Sequence, residues 1–363
     1  MISPLLDEHR AAKAALGEFA GCLLPESFSD FKSEWRAARD TVALFDTNWH
    51  AVTTLSGPDR VRYLNAIVTN NIQSVAEGHG TVALLLNAQG HILAEFEVYA
   101  LKDRLILLSH GSVRKQTHAT LDKYIIMDDV EMKDVTDRMG TIAIEGPRAS
   151  TVISQATGLA LDGFPEFASR EVKVDWVPCR VIRRSHFGGV GAEILANREH
   201  LGRLWRTLHG SVYALGGAAI GMKALNALRL EAGIPWFPLD FNDGVIPHEA
   251  ALENTHISFS KGCYTGQEIV ERVRSRGHVN RRRVGLSFST TIAPIPGTKL
   301  RANGAESGHV TSAAFSPAAG TAIGMGYLKR DQIEPGTVVE FDGGTATVGA
   351  PGAREPQPET EGQ

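Results

Sequence analysis

The chain has 363 residues, 43% of them hydrophobic, enough for a sizeable core and, at roughly 150 residues per domain, for two or three domains. Charged residues make up 21% and the formal net charge is -4, so no global field draws the chain to nucleic acid or to a membrane. Three scattered cysteines, Cys22, Cys179 and Cys263, argue against a secreted disulfide framework and against a C-x-x-C zinc or dithiol site. With no signal-peptide pattern and no apolar run near the ~20 residues of a membrane span, the expected location is cytoplasmic.

In chain order, residues 1–45 read mainly as helix, broken at Pro25. A strand is predicted around Ala51 to Leu55, ending in Ser56-Gly57-Pro58-Asp59, a helix-start signal. Val61, Leu64 and Val68 follow at helical spacing. Thr81 to Leu86 and His91 to Leu101 flank Asn87-Ala88-Gln89-Gly90 and read as a hairpin. In its second strand Ile92, Ala94, Phe96 and Val98 share one face; Leu93, Glu95, Glu97 and Tyr99 share the other, either a ligand-facing wall or a solvated face. The strand-Gly-Pro-helix pattern returns at Thr141 to Arg148 and Val152-Ile153, a hint of internal duplication.

Behind a strand at Arg180 to Ser185 lies Phe187-Gly188-Gly189-Val190-Gly191-Ala192-Glu193. Such a run lets a flat ligand lie against bare backbone with Glu193 as acceptor, or is a glycine-rich hairpin with an edge glutamate. Leu228 to Gly233 closes a helix that begins after Gly216-Gly217, and its Arg229 either pairs with Glu231 or reaches an anionic ligand. Lys261-Gly262-Cys263-Tyr264-Thr265-Gly266-Gln267-Glu268 packs a cation, a thiol, a phenol and a carboxylate between glycines. Cys263 there is either a thiolate favoured by Lys261 and nearby amides or a small buried apolar residue. Six arginines between Arg272 and Arg283, without an acidic residue or an interleaved aromatic, could hold a polyglutamate tail, a phosphate or RNA, and read as a solvated linker in preference to an RNA site. From Val284 onward short β-rich runs between glycines and prolines predict an all-β domain, a barrel or jelly roll.

These stretches resemble the folate-binding superfamily that contains the glycine-cleavage T-protein (aminomethyltransferase) and the YgfZ-type proteins. Trp35 to Arg39, Phe45-Asp46, Asn87 to Gly90, Gly146-Pro147, Gly188 to Glu193, Leu228 to Gly233 and Phe315-Ser316-Pro317 look like the T-protein pattern. Lys261 to Glu268 looks like the K-G-C-[FY]-x-G-Q-E signature of the YgfZ-type branch. The resemblance implies an α+β, three-domain clover leaf around a central tetrahydrofolate site. Residues 1–275 would form the folate-binding region of two interleaved subdomains, 276–350 a β-barrel domain and 351–363 a disordered tail. It carries the pterin-holding glutamate onto Glu193 and the ligand-side arginine onto Arg229, with Lys261 and Tyr264 as further cofactor contacts.

Two departures from the T-protein pattern bear on activity. Its Asp-Asp pair reads Ala94-Glu95, one methylene longer in reach, and the tyrosine of its Gly-Tyr-Thr-Gly-Glu run reads His186, with Phe187 and Gly189 after it. With Cys263, these point to a tetrahydrofolate-binding protein of iron–sulfur cluster assembly or repair, with Cys263 and Glu95 as its reactive groups and iron–sulfur client proteins as partners. The alternative is an aminomethyltransferase or demethylase using Glu95, and the resemblance leaves turnover open. One cysteine cannot hold a four-thiolate cluster, so no resident metal is expected.

Overall fold

The structure, a computed structural model, describes residues 1–349 and falls into two compact units. One comprises Met1–Leu225 and Trp236–His278; the other comprises 226–235 together with the chain from Val279.

The first unit is built on two mainly antiparallel sheets. A five-stranded sheet runs in the order Gly80–Leu86, Ile92–Ala100, Arg104–His110, His50–Ser56, Glu131–Asp134. A six-stranded sheet runs Ser169–Val174, Val177–Arg183, Gly191–Asn197, Met139–Glu145, Ala43–Asp46, Ala218–Ala219, the last strand pairing in parallel with Ala43 and Leu44. The expected alternation holds from Ala94 onward: Ala94, Phe96 and Val98 enter a core with Leu55, Leu85 and Leu107, while Glu97 and Tyr99 turn away from it. At the start of the strand a register shift opposite Leu85 and Leu86 breaks it, and Leu93, expected on the polar face, packs against the same core. In the six-stranded sheet Ile142, Ile144, Ala192 and Ile194 pack under the helix Leu201–Ala214, whose Leu204, Trp205, Leu208 and Val212 recur at helical spacing. A smaller cluster, Val52, Ile106 and Leu108 with Ile182 and Leu195, joins strands of both sheets. Each fully buried side chain of this size contributes about 1.5–3 kcal/mol.

The amino terminus departs from its sequence reading. Only Leu6–Ala11 and Phe31–Asp40 are helical, and between them Ala15–Phe19 and Cys22–Ser27 form a hairpin. Gly17 and Gly21 weaken a helix there, and Ala20 and Gly21 turn the chain at φ 46° and 82°. Pro25 lies opposite a register shift in this two-stranded edge, a position that tolerates a missing N–H. Both Gly-Pro turns form as read, with Gly57 and Gly146 at φ 96° and 136°. A Cβ on Gly57 would sit 2.2 Å from the Asp129 carbonyl oxygen, which fixes glycine at that turn.

The second unit is a closed six-stranded barrel, which settles the barrel-or-jelly-roll expectation. Its order is Arg281–Phe288, Thr321–Lys329, Ala305–Ser316, Lys299–Ala302, Val338–Phe341, Gly344–Val348, with the last strand pairing back to the first. Leu286, Phe288, Leu300, Val310 and Val339 fill it. Leu230, from the end of the helix Met222–Glu231, packs on Ile323 and Met325. The arginine run is divided: Arg272 and Arg274 lie on the helix Gln267–Arg276, and Arg281 opens the first barrel strand. Residues 351–363, expected to be disordered, lie outside the described residues.

Candidate active site

Glu193 is not in the glycine loop but in the middle of the strand Gly191–Asn197, with its side chain wholly buried. Thr47 Oγ1 donates to its Oε1 at 2.9 Å, and His50 Nδ1 lies 3.1 Å from the same oxygen. His186 Nε2 approaches Oε2 at 3.4 Å, but Oε2 has no hydrogen-bond partner of proper geometry. Burial alone would raise the carboxyl's pKa; the charge of His50 and contacts with His186 outweigh it and hold Glu193 well below the usual range. Burial pulls His50 down, and Glu193 more than restores it, so its pKa stands above the ordinary imidazole value. The two shifts agree on an ion pair: an ionised carboxylate between imidazoles, with one acceptor oxygen still unused.

Aromatic rings stand beside it. His186 meets Phe45 edge-on at 5.3 Å and Trp49 at 6.0 Å. Trp49 in turn packs with Trp236 at 6.0 Å and Phe19 at 6.0 Å. His110 is directly opposite His50 in the strand register, and burial lowers its pKa to about 4.

The amides of the glycine run have an internal acceptor. The carboxylate that gathers its amides is Glu145: Oε1 accepts from Gly189 N at 2.7 Å, Phe187 N at 3.1 Å and Ser185 Oγ at 2.7 Å, and Oε2 from His186 N at 2.5 Å. A Cβ on Gly191 would meet the Arg184 carbonyl oxygen at 2.5 Å and the Glu145 side chain at 3.0 Å, so the glycines make room for this internal acceptor. Of the two readings of this run, the internal hydrogen bonds match the glycine-rich loop, with Glu193 on the strand beyond it. The loop wraps Glu145 and thereby delivers the His186 ring to Glu193.

The acidic face of the strand Ile92–Ala100 supplies two further carboxylates. Glu97 is buried, accepting from Arg184 Nε at 2.6 Å and Tyr99 Oη at 2.6 Å. Burial raises its pKa and the Arg184 charge lowers it further than that, so Glu97 stays ionised. Glu95 is partly exposed, and its Oε1 lies 2.9 Å from His256 Nε2, whose Nδ1 is 2.7 Å from Thr255 Oγ1. At Ala94 the side chain points into the apolar core, so the retained carboxylate is on the polar side of the strand.

Segment 261–268 packs against the hairpin turn that precedes Glu95. Gly266, at φ 82°, comes so close that a Cβ would lie 2.6 Å from the Asn87 carbonyl oxygen, and a Cβ on Gly90 would lie 2.9 Å from Ile269. Lys261 Nζ donates to the carbonyls of Asn65, Val68 (2.5 Å) and Asn70 (3.2 Å), which occupies its three N–H groups. Burial lowers its pKa to about 8, and it stands 5.1 Å from the Tyr264 ring centre. The Tyr264 hydroxyl is buried without a hydrogen-bond partner. Cys263 is exposed, unlike Cys22 and Cys179. Arg229, fully buried in the second unit, donates from Nε and Nη2 to Asn226 Oδ1 and from Nη1 to the Ile234 carbonyl at 3.1 Å.

The structure thus joins Glu193 to Thr47 and His50, joins Glu95 to His256, and sets Glu145 under the loop that carries His186; of these partners the sequence singles out only His186. The signal of the others was faint. His50 sits one residue before the predicted strand, and Glu145 was read only as punctuation of the Gly-Pro turn.

Residues 5–261 match the family model described as the GCVT N-terminal domain, and residues 281–352 match the glycine cleavage T-protein C-terminal barrel domain. The chain is 30% identical over 335 residues to the aminomethyltransferase of Streptomyces coelicolor, covering 91% of this chain and 89% of that one. It is 26% identical over 344 residues to the aminomethyltransferase of Thermoanaerobacter pseudethanolicus, covering 93% and 92%. The crystal structure of glycine cleavage system aminomethyltransferase T from Bartonella henselae superposes with a TM-score of 0.88 at 25% identity, over 96% of both chains. Tetrahydrofolate, the cofactor implied by the resemblance, is the one this family uses. By fold and by sequence over most of its length, the chain belongs to the glycine-cleavage T-protein (aminomethyltransferase) family.

Proposed function

We propose that this protein is a tetrahydrofolate-dependent one-carbon transferase of the aminomethyl type. The relatives matched over about nine-tenths of the chain carry the name aminomethyltransferase, which favours the transferase alternative of the sequence reading over iron–sulfur assembly. The observation that carries the proposal is the Glu193 Oε2 atom: a fully buried, ionised acceptor lacking a hydrogen bond. Such an atom is costly unless a donor arrives. A pterin ring presents adjacent N–H donors, and the rings of Trp49, Trp236 and His186 suit its flat body.

Bound tetrahydrofolate supplies secondary amine nitrogens that accept a one-carbon unit. Glu193 anchors the ring, with His50 and His186 keeping it charged. In this reading Glu95, paired with His256, is the carboxylate that takes up a proton at the substrate amine. Lys261 holds the Asn65–Asn70 carbonyls and so shapes the segment around Tyr264 without a free donor of its own.

The test is calorimetric titration of the full chain with tetrahydrofolate. Glu193→Gln is expected to weaken binding by about 10- to 100-fold, the worth of a charge-assisted pair, with unchanged circular dichroism. Unchanged affinity in a folded Glu193→Gln protein overturns the anchor. Glu95→Gln is expected to bind tetrahydrofolate normally and to lose about 100-fold or more in turnover with an aminomethyl or methylamine donor.

One observation favours a second reading, the YgfZ-type role in iron–sulfur maintenance: of the three cysteines only Cys263, within the signature, is exposed. For that role Cys263→Ala should bind tetrahydrofolate yet fail to restore iron–sulfur enzyme activity in a deletion strain. Full rescue removes the reading.

A further inference from the structure

The strands that carry Glu193 and His50 run on to an opening in the first unit that Glu193 and His50 do not line. Glu193 and Leu195 share a face of one strand, as His50, Val52 and Thr54 do of another. Val52, Ile106 and Leu195 form an apolar plug between the sheets, and their outer side is the floor of a cavity of about 1020 Å³. That volume is at the upper end of small-molecule sites.

The wall of this cavity has an uneven charge. Arg104 and Lys133 are each neutralised, by Asp103 at 2.6 Å and Glu131 at 2.7 Å. Arg180 lies 3.5 Å from Glu171, and its Nη1 donates to Ser169 Oγ at 3.3 Å. Lys102, Arg138 and Arg170, also on the wall, make no ion pair among the described residues; Arg170 rests only on the Phe164 ring at 5.7 Å. Against these three cations stands one carboxylate on the wall without a pair among the described residues, Glu77. Concave walls of low dielectric focus such an excess, and guanidinium forks suit phosphate and carboxylate oxygens.

We propose that this cavity is a second binding site, for a small polyanion with phosphate or carboxylate groups and a flat or apolar body. The body lies on Val52, Ile106 and Leu195, and the anionic end meets Arg138, Arg170 and Lys102. Glu193 lies two residues from the floor residue Leu195, so a ligand here bears on the same strand from its other end. The Cys179 thiol on the wall is held protonated by burial and plays no part as a nucleophile.

The experiment is calorimetric titration of the full chain at low salt with ADP and, separately, with citrate, on wild type and on Arg138→Ala/Arg170→Ala. Saturable one-to-one binding of at least one probe is expected, weakened tenfold or more by the double substitution and progressively by added salt. Binding of ADP alone marks phosphate as the recognised group; binding of citrate alone marks carboxylate. Both side chains are exposed, so the variant should keep its melting temperature and its tetrahydrofolate affinity, which separates this site from that at Glu193. Absence of saturable binding by either probe, or equal affinity in the variant, overturns the proposal.

Discussion

A carboxylate with no exposure, like Glu193, survives in a core only if its charge is matched. Here two imidazoles and the Thr47 hydroxyl match it. The pair has a pH window whose edges follow from the shifts. Glu193 is depressed, so its contribution is present above the ordinary carboxylate range and fades as pH falls through its low folded value. His50 is raised, so its contribution is present below the ordinary imidazole value and fades as pH rises through its folded value. His110 acts oppositely. Burial lowers it from 6.5 to about 4, so the unfolded chain binds the extra proton first and stability drops as pH falls from 6.5 towards 4. At 1.36 kcal/mol per unit the full effect is about 3 kcal/mol, an upper figure for a site that relaxes. In thermal melts His110→Gln should flatten the acid limb between these values; an unchanged slope removes His110 as its cause.

At the scale of elements, one acceptor organises the loop 185–189. Glu145 takes two donors from the Ser185–His186 stretch and two from Phe187 and Gly189, and the loop then presents His186 to Glu193. Glu145→Ala strands these donors, at about 1–3 kcal/mol for each that stays buried. It should lower the melting temperature and weaken tetrahydrofolate binding together. Glu145→Gln, which keeps an acceptor oxygen, should recover part of both; full binding in Glu145→Ala would mean the loop does not position His186. Glu34 works in the same way at the helix Phe31–Asp40, accepting from Phe28, Ser29 (2.7 Å) and Gly221 (2.8 Å). A Cβ at Gly221 would lie 2.3 Å from the Glu26 carbonyl oxygen, so Gly221→Ala is expected to destabilise by about 1–3 kcal/mol through overpacking, read as a lower denaturation midpoint.

Across the first unit, the Glu97–Arg184 pair links the five-stranded sheet to the chain just beyond the six-stranded one. Removing one partner of a buried pair leaves an uncompensated charge, at about 3–5 kcal/mol. Arg184→Met should therefore destabilise strongly, and Arg184→Met/Glu97→Leu should restore much of the loss in denaturant unfolding. Additive losses in the double variant would exclude the pair as the cause.

Much of this was legible because it is local. Alternation from Ala94 to Tyr99 separates core from polar face within one strand, and Gly-Pro turns declare themselves through backbone sterics. The hairpin at Ala15 to Ser27 was not legible, because short segments with mixed apolar spacing fit helix or strand until a partner is chosen. The family pattern pointed to Glu193 and Glu95 as candidates, but their neighbours come from distant stretches: Thr47 and His50 lie about 140 residues before Glu193, and His256 comes 161 residues after Glu95.

By itself, the sequence determined the family, the polar face of the Glu95 strand and the β-rich carboxyl-terminal piece, since these rest on residue type and short-range period. Only the tertiary structure decided which carboxylate the glycine loop serves, that the Lys261 ammonium is spent on backbone carbonyls, and that Glu193 keeps one unused oxygen. Hydrogen bonds and burial are properties of neighbours in space, and the fold alone chooses those neighbours.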